Sequence, residues 1–396
     1  EISKSKSDDL CFRAVRNILS RTPLPEPTLP DNILEISCNN NTPIPFEGGH
    51  LLHQTPYNVH AYATPLCGDI DGDGIVDIVV AHYTATDNYY HRHWSSQSDI
   101  YSGNDLSLQS TISIPAEVYL QYLPYGIARY PKGDGSIQGA IFAICCDGKI
   151  RSYSKNGVLL NTSDFNMPCD GTPSFADFNQ DGFLEGYIGN AIFDAATLKR
   201  LCIGPTNGNM GLSHRGTPPS EAYPHRTNYA IPYAYNVLED DDLELICGNT
   251  IYNVNIISRT DPSLNSVTVS KTITPPNGYP QDGQVAIADF DLDGEVEILV
   301  TKDLTDDCTE DYAYIYAYRP SNGSILFQYS LLCRSVGYPA FCNIDNNPNP
   351  EILFIDYQYD TYAEKMYCLR YTPTNGLSTI WETHHNDPSG MTTMAF

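Results

Sequence analysis

The nine residues Asp69-Ile70-Asp71-Gly72-Asp73-Gly74-Ile75-Val76-Asp77 constrain this chain more than any other stretch. Carboxylates stand at positions one, three, five and nine, and a glycine stands at six. Carboxylates two residues apart converge only if the backbone curls around a point, and glycine supplies the left-handed turn such a curl needs. Clustered carboxylates repel unless a cation sits among them. An all-oxygen set points to a hard cation, Ca²⁺ above all, which accepts six to eight oxygens in flexible geometry.

The pattern returns at Asp177-Phe178-Asn179-Gln180-Asp181-Gly182-Phe183-Leu184-Glu185 and at Asp289-Phe290-Asp291-Leu292-Asp293-Gly294-Glu295-Val296-Glu297. An EF-hand would require a bidentate Glu at position twelve. Position twelve here is Val80, Ile188 and Val300, and each loop runs into an apolar β-type segment rather than a helix. Eroded copies occupy 236–244, with Asp241 at the glycine position, and 343–351, with Pro348 there; these are weaker Ca²⁺ candidates. A sixth copy at 130–138 carries Lys132 at its third position, and that ammonium is expected to replace the cation. First positions fall at 69, 130, 177, 236, 289 and 343, a period of about fifty residues that means a solenoid or a propeller. Short strands separated by turn residues favour four-stranded units, and so an all-β propeller.

An acidic loop of this form, placed after a small apolar strand (TPLCGD, TPSFAD, VAIADF) and before an Ile/Leu-Val strand, resembles the FG-GAP or VCBS repeat, the blade unit of integrin α-chain heads. The resemblance covers about residues 60–396. The runs GNAIFDAATLKRL and ICGNTIYNVNI also resemble repeat proteins secreted by Bacteroidota. The resemblance implies about seven blades, with Ca²⁺ loops between the first and second strands. It implies ligands from side chains one, three, five and nine and from the backbone carbonyl at seven. These are Asp69, Asp71, Asp73, Asp77 and the Ile75 carbonyl; Asp177, Asn179, Asp181, Glu185 and the Phe183 carbonyl; and Asp289, Asp291, Asp293, Glu297 and the Glu295 carbonyl.

Residues 1–32 differ from the rest. Leu10, Cys11, Ala14, Val15, Ile18 and Leu19 recur at helical spacing, Ser7 can cap the start, and Pro23 ends the helix. Pro25, Pro27 and Pro30 continue as a stiff arm. Residues 33–396 form the propeller. Gly390–Phe396 matches a first strand, so the last blade is expected to be incomplete, with the segment from about Ile33 to Val59 available to complete it. An uncompleted blade offers a strand edge to another chain.

The formal net charge of −26 argues against nucleic acid and anionic membrane surfaces as partners. No apolar run is long enough to insert into a membrane. A chain opening on Glu1, with twelve cysteines and no C-x-x-C pair, reads as a processed extracellular protein in which disulfides can form. Enzyme signatures such as G-x-S-x-G or H-E-x-x-H are absent. His82, His91, His93 and Trp94, and the pair His384-His385, read as solvated turns rather than metal sites. The 29 tyrosines suit either strands or sugar stacking. The expectation is a non-enzymatic extracellular Ca²⁺ propeller for adhesion or assembly, as a filament subunit whose basic arm docks on a protein partner or a second copy. The alternatives are a glycan-binding lectin and an extracellular polysaccharide lyase.

Overall fold

The computed structural model describes residues 65–384 apart from 82–93, 114–119, 122–124, 213–228, 239–241, 304–312, 332–334, 337–338, 343–348, 359–362 and positions 96, 133 and 146. The expected helix and proline arm, the Ile33–Val59 segment, the Gly390–Phe396 strand and His82, His91, His93 and His385 lie outside the described residues. So does the boundary at residue 32.

The described chain is built almost wholly of antiparallel β-structure, with a single 3₁₀ turn at Pro262–Leu264 and no α-helix among the described residues. Among the described residues six sheets of four or five strands follow one another in sequence, beside two two-stranded pairings, Trp94–Ser95 with Leu120–Gln121 and Asp170–Gly171 with Tyr229–Ala230. Sheet I comprises Leu66–Gly68, Asp77–Ala81, Gln97–Ser102 and Leu108–Ser113. Sheet II comprises Gly126–Pro131, Ile137–Ile144, Ile150–Tyr153 and Leu159–Thr162. Sheet III holds Ser174–Ala176, Glu185–Ile188, Ala191–Asp194 and Arg200–Ile203. Sheet IV holds Tyr233–Tyr235, Glu244–Cys247, Thr250–Asn255 and Ser266–Thr272. Sheet V runs through Gln284–Ala288, Glu297–Asp303, Ala313–Tyr318 and Ile325–Leu331. Sheet VI opens with two short pieces, Ser335–Val336 and Ala340–Cys342, and continues with Glu351–Gln358, Ala363–Thr372 and Gly376–His384.

Each sheet is an up-and-down meander in which strands pair with their sequence neighbours, except that in sheet VI both short opening pieces pair with Glu351–Gln358. Each packs on the next through its own apolar layer. Ile70, Val79, Ile100, Tyr125 and Ile141 join sheets I and II; Phe142, Ile144, Ile188 and Phe193 join II and III. Tyr187, Leu201, Leu245 and Tyr252 join III and IV, Ile246, Ile251, Val300 and Tyr316 join IV and V, and Leu299, Ile315, Ile352 and Phe354 join V and VI. Consecutive four-stranded meanders stacked face to face in series are the architecture of a β-propeller. Buried on both faces, their middle strands read as nearly continuous Val, Ile, Leu and aromatic runs.

Tyrosines carry much of this packing. Tyr101, Tyr125, Tyr187, Tyr252, Tyr316 and Tyr318 are among the largest fully buried side chains. Their hydroxyls stay satisfied: Tyr318 donates to the Gly248 carbonyl at 2.9 Å, and Tyr187 accepts from the Ala234 amide at 3.1 Å. Both bonds cross between sheets, so one residue type supplies apolar area and a fixed polar contact. The expected disulfides are not formed among the described residues; Cys67, Cys202 and Cys247 are thiols, and burial pushes the Cys202 thiol up to about 12.

Candidate metal loops

The three acidic loops, 69–77, 177–185 and 289–297, each connect the first and second strands of a sheet. One hydrogen-bond frame recurs in all three. The first carboxylate accepts from the backbone of residue six, at 3.1 Å in Asp69–Gly74, 2.8 Å in Asp177–Gly182 and 3.1 Å in Asp289–Gly294. The fifth accepts from residue seven, at 2.8 Å in Asp73–Ile75, 2.9 Å in Asp181–Phe183 and 2.9 Å in Asp293–Glu295. The ninth reaches back to residue two, at 3.0 Å in Asp77–Ile70, 2.9 Å in Glu185–Phe178 and 2.8 Å in Glu297–Phe290. For the fifth and ninth carboxylates one oxygen shapes the turn and the other faces the loop centre.

Two backbone positions per loop are left-handed. Glycine at six (Gly74, Gly182, Gly294) adopts φ of 84°, 86° and 98°. Position four does the same with Gly72 at 82°, Gln180 at 57° and Leu292 at 61°. Only the glycine at six is visible as a pattern in the sequence. Residue two is a core residue as well as an amide donor, since Ile70, Phe178 and Phe290 are fully buried between sheets. Their apolar identity in every intact copy was the available signal.

Positively charged side chains enter all three loops. In loop 69–77, Lys155 Nζ lies 2.8 Å from Asp71, 3.0 Å from Asp77 and 3.6 Å from Asp73. Its side-chain hydrogen bond holds the Asp71 carboxyl below the usual range. In loop 177–185, Arg259 donates to both Asp181 oxygens, the Phe183 carbonyl and Glu185, and pairs with Asp194. In loop 289–297, Arg319 contacts Asp291, Asp293 and Glu297. Burial still pushes Glu185 and Glu297 up to about 7 and raises Asp177 and Asp291, so in loops 177–185 and 289–297 one cationic side chain does not fully offset the cost of burying the carboxylates.

The structure gathers the expected ligands of two loops most tightly. Asp69, Asp71 and Asp77, and separately Asp289, Asp291 and Glu297, each bring three carboxylate oxygens within 4.8 Å of one another. Asp289 Oδ1 and Asp291 Oδ1 are buried without a hydrogen-bond partner; Asp77 Oδ1 has no hydrogen bond either, though Lys155 meets its charge. Buried carboxylate oxygens left bare are costly, and a hard divalent cation is the group this donor set fits. Loop 177–185 fits less readily, because Arg259 takes the groups at positions five, seven and nine. Its third residue, Asn179, donates its amide to Asp181 at 3.2 Å and to the Ile256 carbonyl at 3.1 Å.

The eroded copies keep parts of the frame. Glu244 accepts from the Val237 amide at 2.8 Å, and Glu351 pairs with Arg370 Nε at 2.7 Å; residues 239–241 and 343–348 lie outside the described residues. At 130–138 the chain makes a tight turn in which Lys132 N–H donates to the Ser136 carbonyl. There Lys132 Nζ stands 3.6 Å from Asp134, both side chains well exposed, so its ammonium is a surface pair and not the centre of an acidic loop.

No family model matches the sequence, and no curated protein matches it. Among solved structures the chain is similar to the S. cerevisiae core factor, at 11% identity and TM-score 0.35, covering 79% of this chain and 48% of that one. It is similar to the Dos1 propeller at 10% identity and TM-score 0.33, covering 78% of this chain and 88% of that one. The WD40 domain of SCAP from fission yeast gives 10% identity and TM-score 0.32, over 79% of this chain and 74% of that one. The chain thus spans about half the length of the core factor chain, and the fold assignment rests on strand order and sheet packing.

Proposed function

We propose that this chain is an extracellular, non-enzymatic Ca²⁺-binding propeller of the FG-GAP or VCBS kind, serving adhesion or assembly through a protein partner or a second copy. The observation that carries the reading is the single hydrogen-bond frame shared by loops 69–77, 177–185 and 289–297. It aims carboxylate oxygens inward and leaves one oxygen each of Asp289 and Asp291 buried and bare.

In this reading Ca²⁺ neutralises repelling carboxylates and ties the first strand of a blade to the second, a structural role coupled to folding. The chain's own part is to hold each turn through residues one, five and nine, and to anchor it in the core through residue two. Six of the described tyrosines are fully buried in the packing between sheets and so unavailable for sugar stacking.

Calorimetric titration with CaCl₂, with melting curves taken in calcium and in chelator, tests the reading. Binding at submillimolar to millimolar calcium with a higher melting temperature supports it. No heat and superimposable melts reject it. Electron microscopy of the same samples distinguishes single particles from polymers.

A further inference from the structure

Lys155 and Arg259 do not belong to the sheets whose loops they enter. Lys155 sits in the 154–158 turn of sheet II and reaches loop 69–77 of sheet I. Arg259 sits in the connection after strand Thr250–Asn255 of sheet IV and reaches loop 177–185 of sheet III. In each case the donor is the third-to-fourth strand connection of the sheet next along the chain.

Both connections are built to hold the cation in place. The 154–158 turn is closed by Ser154 and Val158 at 2.9 Å and by Gly157 and Ser154 at 2.9 Å. The Lys155 carbonyl accepts from the Ser110 hydroxyl of sheet I, which fixes the turn against the sheet it serves. Beside Arg259, Asn265 accepts from Ile257 N–H at 2.8 Å and from Ser258 N–H at 2.9 Å, while its own amide donates to the Leu201 carbonyl of sheet III at 3.3 Å. The guanidinium also lies 5.1 Å from the centroid of the Phe183 ring. Neither side chain is a loose surface charge: Lys155 is 15% exposed and Arg259 is 21% exposed.

The oxygens they hold are the ones a metal would use. Lys155 covers positions three, five and nine of its loop; Arg259 covers five, seven and nine. We propose that Lys155 and Arg259 are built-in counter-ions that clamp adjacent sheets and compete with a divalent cation for these two loops. The inference rests on the calcium reading above. Without metal, the loops stay closed and the sheet pairs I–II and III–IV stay joined. Metal entry requires each side chain to withdraw, so affinity is set by the difference between two cations and not by the carboxylates alone. Arg259 makes a planar, multidentate set of bonds and Lys155 a single-point one, so loop 177–185 is the harder to load.

The test is calcium calorimetry, with melting in chelator, on the wild-type chain, Lys155→Met, Arg259→Met and the exposed control Lys199→Met. The first two variants are each expected to tighten one calcium site by about tenfold or more, the effect of losing one charge-assisted bond to the competitor. They are also expected to melt a few degrees lower in chelator and to return to the wild-type value in saturating calcium. Lys155→Gln and Arg259→Gln keep a donor without the charge and serve if a Met variant does not fold. Calcium bound with the same affinity by all four proteins overturns the competition alone. Unchanged melting in chelator overturns the clamp. Absence of calcium binding in every protein overturns the competition together with the calcium reading.

Discussion

The acidic loops of sheets I and III and those of sheets V and VI solve one electrostatic problem in two ways. In all four, the ninth residue is a fully buried carboxylate: Asp77, Glu185, Glu297 and Glu351. The residue paired with it on the third strand differs. Asp77 faces Ser102 and Glu185 faces Asp194, so the facing position supplies no positive charge in sheets I and III, and Lys155 and Arg259 arrive from the neighbouring sheet. Glu351 faces Arg370, and Glu297 follows the same register, since the adjacent pair is Ile298 with Tyr318 and Arg319 comes next. Sheets V and VI therefore carry their own cation. The difference teaches that in these four loops the ninth carboxylate meets a positive partner, and that one cross-strand position decides whether the partner joins two sheets or stays in one.

The largest expected effect lies on the self-sufficient side. Arg370→Met removes the cationic partner of Glu351, a buried carboxylate at the end of a loop that lacks the full acidic set. Removing one member of a buried pair costs about 3–5 kcal/mol. Calcium should not restore it, because 343–351 offers Pro348 where the turn glycine belongs. Thermal unfolding of this variant with and without calcium, set beside Arg259→Met, separates the two classes. If calcium rescues both equally, the distinction between them fails.

A smaller effect is expected at Asp289. Its Oδ2 holds the Gly294 amide at 3.1 Å while Oδ1 is buried and bare. Asp289→Asn keeps a turn acceptor and removes one charge from the loop. One calcium should be lost from the measured stoichiometry, and with it the stabilisation of about 2.7 kcal/mol that a ligand at a hundredfold its dissociation constant provides. Melting in chelator should barely change, because Arg319 already contacts Asp291, Asp293 and Glu297. An unchanged stoichiometry would remove loop 289–297 from the set of metal loops.

Much of the fold was legible because the repeat was legible. Carboxylates alternating around a glycine place a turn, the flanking TPSFA-type and IVVA-type runs place a strand on each side, and a fifty-residue spacing places four strands per unit. The cations at the loop centres were not legible. Arg259 lies 74 residues from Glu185 in sequence, and no local pattern marks it. Arg319 and Arg370 were within reach, since counting strand register from the ninth residue of the loop leads to both. Alignment alone puts Lys132 at a loop centre; the turn there is too tight to gather an acidic shell around it. The tyrosine excess could not be apportioned between core and surface until the sheet faces were known.

The smallest effect concerns position four. Gly72 adopts φ 82° at no steric cost, whereas Leu292 takes φ 61° in the equivalent place with a side chain attached. A left-handed non-glycine residue costs about 1–2 kcal/mol. Replacement by glycine relieves that and gives back about 0.4–1 kcal/mol through the freer unfolded chain. Leu292→Gly should therefore stabilise the metal-free protein by about 0.5 kcal/mol, read as a small upward shift in melting. In the reverse change, a Cβ at Gly72 would meet only the Arg129 guanidinium of sheet II, the movable end of a flexible side chain, so Gly72→Ala should cost about the backbone term and little more. If Leu292→Gly is instead destabilising, the strain at position four in sheet V is offset by contacts of the Leu292 side chain, and the two loops differ there as well as in their source of charge.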